Sequence, residues 1–223
     1  YYVNDAGNQI VKLGESLVAR YFEHFGRAAE YPLPEDGYHA EDVKNIADAI
    51  ADEDGDKWLT ADPDERLRYF MQTGKTRELE KINRDLELYR VKITSWMHET
   101  FFYENDKKRI NDCLALMDSK GLLYEKDGAL WFKSTDYGDE KDRVLRKSDG
   151  TLSYLTPDIA NHVYKIERGY NKLVDLWGAD HHSYVLRMTA ALEALGYPKG
   201  TLSVDLIQMV RMVDNGVEVK MSK

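Results

Sequence analysis

Cysteine is almost absent from this chain: Cys113 is the only one in 223 residues. A single thiol can form neither an intrachain disulfide nor a cysteine zinc site, and no structural metal is expected. A reducing compartment, the cytoplasm, is the simplest setting. Long apolar runs are missing too, and none approaches the roughly 18 residues of a spanning helix. Basic charge is in short supply, with 31 Lys and Arg against 40 Asp and Glu, a net charge of −9. That balance excludes a chain built mainly as a nonspecific nucleic-acid binder, but not a local basic site. The opening "YYVNDAGNQ" lacks a charged n-region, an apolar h-region and a Met. It reads as neither a signal peptide nor a native start, and the chain is expected to be a piece of something longer.

What is present suits a globular protein. Apolar residues make up 43% and charged residues 32%, and mean hydropathy is −0.60, outside the disordered and membrane classes. A chain of this length can bury roughly 70% of its unfolded surface, enough for one large domain or a domain with an insertion.

Periodicity divides the chain at about residues 31 and 124. Residues 1–30 read as the end of a strand, a turn at Asn4, Asp5 and Gly7, and a helix carrying Leu17, Val18, Tyr21, Phe22 and Phe25 up to Gly26. Residues 31–123 read as a mostly helical insertion. Val43, Ile46, Ala47 and Ile50 form one apolar face. A helix start at Asp62-Pro63 follows, with Glu65 three residues after the cap. Leu79, Ile82, Leu86 and Ile93 continue a stripe, and Ile110, Cys113, Leu114 and Met117 form another, closed by Gly121.

From residue 124 the period becomes strand-like. Two Asp-Gly pairs centre hairpin patterns in "GLLYEKDGALWFKS" and "DRVLRKSDGTLSYLT". Then "TLSYL" predicts a strand, Thr156-Pro157 a capped helix start, "KLVDLWG" a strand, Val185 to Leu195 a helix, and "LSVDLIQMVRMV" a strand with a hairpin partner. The order βαβαβ is half of a doubly wound parallel sheet, an α/β fold.

In such sheets ligands bind outside the carboxyl ends of the strands. Four polar clusters are expected at that edge: "VNDAGNQ", "YLTPD", "GADHHSY" and "KMSK". Gly178 permits close backbone approach, and the following helix start offers N–H groups to an anion or an adenine. Asp180 there is either a ribose acceptor or only an N-cap. Adjacent His181 and His182 diverge on a helix, which disfavours a metal site. Tyr154 and Asp158 lie four apart across a strand-to-helix turn. Either they hold a cationic, even guanidinium, substrate or Asp158 is ordinary first-turn acid. Lys220 and Lys223 are either a polyphosphate clamp or a solvated tail.

Taken in order, "YYVNDAGNQ", "GALWFKSTDYGDEKDRVLRKSDGTLSYLTPDIANHVYK", "LVDLWGADHHSYVLRM" and "VKMSK" resemble the catalytic domain of bacterial-type arginyl-tRNA synthetases, a class I family. The likeness is weakest over about residues 30–80. It implies a Rossmann-like core that activates arginine with ATP, Mg2+ accompanying the nucleotide, and transfers it to its tRNA, as a monomer without membrane contact.

By the same resemblance Tyr154 and Asp158 contact the guanidinium, and Asn4 and Asp5, with Gly7 and Gln9, lie near the arginine site. Gly178, Asp180, His181 and His182 line the ATP and adenylate pocket. Lys220, Met221, Ser222 and Lys223 form the mobile loop on the pyrophosphate, where Lys220 and Lys223 are the catalytic cations. The family's His-x-Gly-His motif and its anticodon-binding domain have no counterpart here, so the chain alone is expected to be inactive. Two alternatives are a cysteinyl relative, which one cysteine disfavours, and a non-catalytic nucleotide- or protein-binding derivative.

Overall fold

The computed structural model describes residues 1–219. The expected phosphate loop, Lys220, Met221, Ser222 and Lys223, lies outside the described residues. The chain divides into two compact units, Tyr1–Thr100 with the residues from Asp214 on, and Phe101–Val213.

In the first unit β1 (Tyr2–Val3) pairs in parallel with β2 (Met97–His98). Between them run α1 (Asn8–His24), α2 (Glu41–Asp54) and α3 (Pro63–Leu88). Leu17, Val18, Tyr21 and Phe22 recur along one face of α1. They meet Val43, Ala47, Ile50 and Ala51 of α2, with Phe70 and Trp58, in one core. The Tyr21 and Phe70 rings sit edge to face at 5.1 Å, and Trp58 stacks on Tyr69 at 4.1 Å, geometries that add to simple burial.

Helix α3 starts as its sequence predicts. Pro63 occupies its first position, and the Asp62 carboxylate accepts from the N–H groups of Asp64 and Glu65, both at 3.0 Å. Its far end comes earlier than the apolar stripe suggests. Arg90 adopts φ 62° just past Leu88, so Ile93 lies beyond the helix.

The second unit opens on α4 (Glu104–Ser119), with Ile110, Cys113, Leu114 and Met117 buried. An antiparallel meander follows: β3 (Leu123–Lys126), β4 (Ala129–Phe132) and β5 (Arg143–Arg146). The β3–β4 turn puts Asp127 at φ 54° and Gly128 at φ 74°, as a two-residue hairpin of the expected kind requires.

The predicted strand "TLSYL" is the main departure. Only Leu152 bridges, to Arg146. The Leu145 carbonyl accepts from Ser153 N–H at 2.9 Å and from the Thr156 hydroxyl at 2.7 Å. Those bonds turn the chain directly into α5 (Leu155–Glu167), so Thr156 is not its cap. Beyond α5, β6 (Leu173–Gly178), α6 (His182–Ala194) and β7 (Leu202–Ile207) make a parallel βαβ unit, with Leu173 opposite Leu202 and Gly178 opposite Ile207. Strands β8 (Met212–Asp214) and β9 (Val217–Val219) flank an Asn215-Gly216 turn with φ 48° and 79°. The α/β class expected from the sequence stands, with αβαβ in place of βαβαβ.

Candidate functional site

Asp158 lies in the first turn of α5, half-buried, and the Tyr184 hydroxyl of α6 donates to its Oδ2 at 2.6 Å. Burial pushes the Asp158 carboxyl above its ordinary range and Asp175 adds to that, while Tyr184, His162 and Lys165 pull the other way. A carboxylate in this position is poised to gain from a cation.

Beneath it, His162 Nδ1 lies 2.7 Å from the Asp158 backbone carbonyl and Nε2 lies 2.7 Å from Asp175 Oδ2. Lys165 Nζ donates to the other Asp175 oxygen at 3.0 Å. Burial alone would raise the Asp175 carboxyl, but His162 and Lys165 outweigh it and hold it at about 2. Asp175 thereby fastens α5 to β6.

The phenol that reaches Asp158 is therefore Tyr184; Tyr154 is 83% exposed. A signal for Tyr184 was available, because it closes "GADHHSY" in the first turn of a helix. Its pairing across 26 residues was not.

The "GADHH" segment ends β6 at Gly178 and makes one 3-10 turn, Ala179–His181, before α6. The Asp180 carboxylate folds back over Gly178, where a methyl group would come within 2.5 Å of Oδ1. Asp180 does not cap α6, whose N-cap is His181 with no side-chain cap bond. The Asp180 carboxylate, His181 and His182 face solvent, with His181 Nε2 3.7 Å from Asp180 Oδ2. Tyr184 packs beside Trp177 at 5.6 Å and His181 at 6.4 Å. Thus Asp158 and the Gly178–His182 turn, from two of the predicted clusters, are joined through Tyr184.

In the first unit, Asn4 and Gln9 are exposed at the rim of a cavity of about 410 Å³ that Tyr38, Lys75 and Glu78 also line. Burial raises the Glu78 carboxyl. Asp5, expected near the arginine site, lines the same cavity and is buried. Its carboxylate is 1% exposed and accepts from Lys75 Nζ at 2.9 Å, Thr100 N at 3.1 Å and the Thr100 hydroxyl at 3.3 Å. His98 Nδ1 adds a contact at 2.8 Å. Three of these contacts fall on Oδ2 and one on Oδ1, so the carboxylate is held mainly through Oδ2. Among the described residues, no group of three or more His, Cys, Asp or Glu could hold a metal ion, and no helix is long and apolar enough to cross a membrane.

Helix starts gathered at the carboxyl end of a parallel strand are the ligand-binding arrangement of an α/β fold. Residues 21–220 match the family described as tRNA synthetases class I (R), catalytic domain, and the chain belongs to that family. Arginine–tRNA ligases of Bacillus licheniformis and Bacillus subtilis are each 52% identical over all 223 residues. The chain spans 39% of the length of both. A crystal structure assigned as an arginyl-tRNA synthetase of Campylobacter jejuni superposes with a TM-score of 0.87 at 35% identity, over 100% of this chain and 48% of that one. Thermus thermophilus arginyl-tRNA synthetase shares the fold, with a TM-score of 0.58 at 18% identity over 93% of this chain and 41% of its own.

Proposed function

We propose that the protein carrying this chain activates arginine with ATP and transfers it to its tRNA. The observation behind this reading is the 52% identity, over the whole chain, to two arginine–tRNA ligases. The half-buried Asp158, raised by burial and already oriented by a phenol, suits a guanidinium partner.

Catalysis on this reading is positioning and electrostatics. The arginine carboxylate attacks the α-phosphate in line, and pyrophosphate leaves with the bond electrons. Asp158, with Tyr154, orients arginine. Gly178, Asp180, His181 and His182 receive ATP and the adenylate, and Lys220, Met221, Ser222 and Lys223 close on the pyrophosphate. Asp5 is a buried brace within the first unit. Mg2+ arrives on the phosphates of ATP, a mode that needs few protein ligands. The protein works as a monomer in the cytoplasm.

The test is pyrophosphate exchange and aminoacylation by the full-length protein with arginine, ATP and tRNA. Asp158→Asn should raise the arginine KM by about 100-fold and leave the ATP KM within a factor of about two. Equal losses toward both substrates would overturn the arginine assignment.

A further inference from the structure

We infer that Tyr184 is a positioning residue for the substrate cation, its hydroxyl fixing the plane of the Asp158 carboxylate before arginine arrives. The inference rests on the arginine reading above. The terminal torsion of an aspartate is broad and roughly two-fold, so an untethered carboxylate near solvent samples many orientations. A guanidinium fork needs one orientation, with both oxygens presented edge-on.

Two elements supply that order. From α6, the Tyr184 hydroxyl holds Oδ2 at 2.6 Å. The ring cannot swing aside without leaving Trp177 at 5.6 Å and the Arg187 guanidinium, also 5.6 Å from its centre. From β6, Asp175 grips His162 at 2.7 Å and Lys165 at 3.0 Å, and His162 reaches the Asp158 carbonyl at 2.7 Å. The carboxylate's position is thus set from below and its orientation from the side. Order present before binding is not charged against affinity.

The titratable and charged groups facing Asp158 are Tyr184 on α6, His162 and Lys165 on α5, and Asp175 on β6. Tyr184 pulls the Asp158 carboxyl down against burial. Without the hydroxyl that carboxyl rises further, and the ionised form that binds a cation is lost at a higher pH.

The experiment uses the full-length protein with Tyr184→Phe, which keeps the ring and its packing. Arginine KM should rise about tenfold, the worth of one charge-assisted hydrogen bond. The ATP KM should hold, the melting temperature should fall only modestly for the loss of one hydrogen bond, and the acid limb of kcat/KM for arginine should move to higher pH. In the Asp158→Asn background the same change should add almost nothing, because Tyr184 acts through Asp158.

An unchanged arginine KM, an equal rise for ATP, or additive losses in the double variant would each overturn the inference. A wild-type protein without arginine-dependent exchange would overturn the function itself. An active wild type with a silent Tyr184→Phe would overturn only the role of Tyr184.

Discussion

The Asp175 carboxylate of β6 binds two residues of α5 at once, His162 at 2.7 Å and Lys165 at 3.0 Å. These partners hold its folded-state acidity at about 2 in spite of burial, below the roughly 3.9 of an unfolded aspartate. A depressed carboxyl stabilises the fold above the unfolded value, and the contribution is lost as pH falls toward the folded one. Asp175→Asn should therefore cost about 2–3 kcal/mol at neutral pH. It should also flatten the stability profile between about pH 4 and pH 2. Denaturant titrations at several pH values measure both, and a variant as stable as wild type at pH 7 would show that the tie carries no net stabilisation.

Helices α1 and α3 approach at two glycines. A methyl group at Gly14 would come within 2.5 Å of Met71 Cγ, and one at Gly74 would collide with Leu17 Cδ1. In an exposed helix Gly→Ala gains about 1 kcal/mol. Here overpacking reverses the sign, and Gly74→Ala should cost about 1–3 kcal/mol. A denaturation midpoint that rises instead would mean that the Leu17 side chain gives way.

Much of this architecture could be read in the sequence because its signals are local. Asp62 and Pro63 start α3, Asp127-Gly128 turns β3 into β4, and the apolar run in "KLVDLWG" makes β6. The strand expected at "TLSYL" is cut short after the Leu152 bridge and the backbone bond from Ser153 N–H to the Leu145 carbonyl. The Thr156 hydroxyl, just past the segment, bonds the same carbonyl as the chain enters α5, an interaction that period-2 reading does not register. The same holds at the site. Asp158 and the "GADHH" turn were visible as strand-end chemistry, whereas Tyr184, His162 and Asp175 became partners only through packing. Asp5 is the extreme case: its partners Lys75, His98 and Thr100 are 70 to 95 residues away.

Cys113 is buried on α4, and burial pushes its thiol up to about 12. At neutral pH almost none is thiolate, the form that reacts. A thiol reagent such as iodoacetamide should leave Cys113 unmodified in the native protein and label it fully in denaturant. Labelling of native protein at the rate of a small-molecule thiol would mean that α4 opens locally.

Asp5 and Lys75, 2.9 Å apart with the carboxylate 1% exposed, decide between two roles for the first cluster. Burial raises the Asp5 carboxyl, but Thr100, Lys75 and His98 outweigh it and leave it below its ordinary value. Its stabilisation is present above the unfolded pKa of about 3.9 and is lost as pH falls through the lower folded value. Asp5→Asn keeps the shape but leaves Lys75 without a counter-charge and places an amide N–H₂ against donors. The expected cost is about 3 kcal/mol. A direct arginine contact would give the opposite pattern, a normal melting temperature with a large rise in arginine KM. The brace predicts a lowered melting temperature, with the arginine and ATP KM values changing together below it. Measuring both constants and the melting temperature on the full-length variant separates the two roles, and a selective arginine defect in a fully stable protein would return Asp5 to the substrate site.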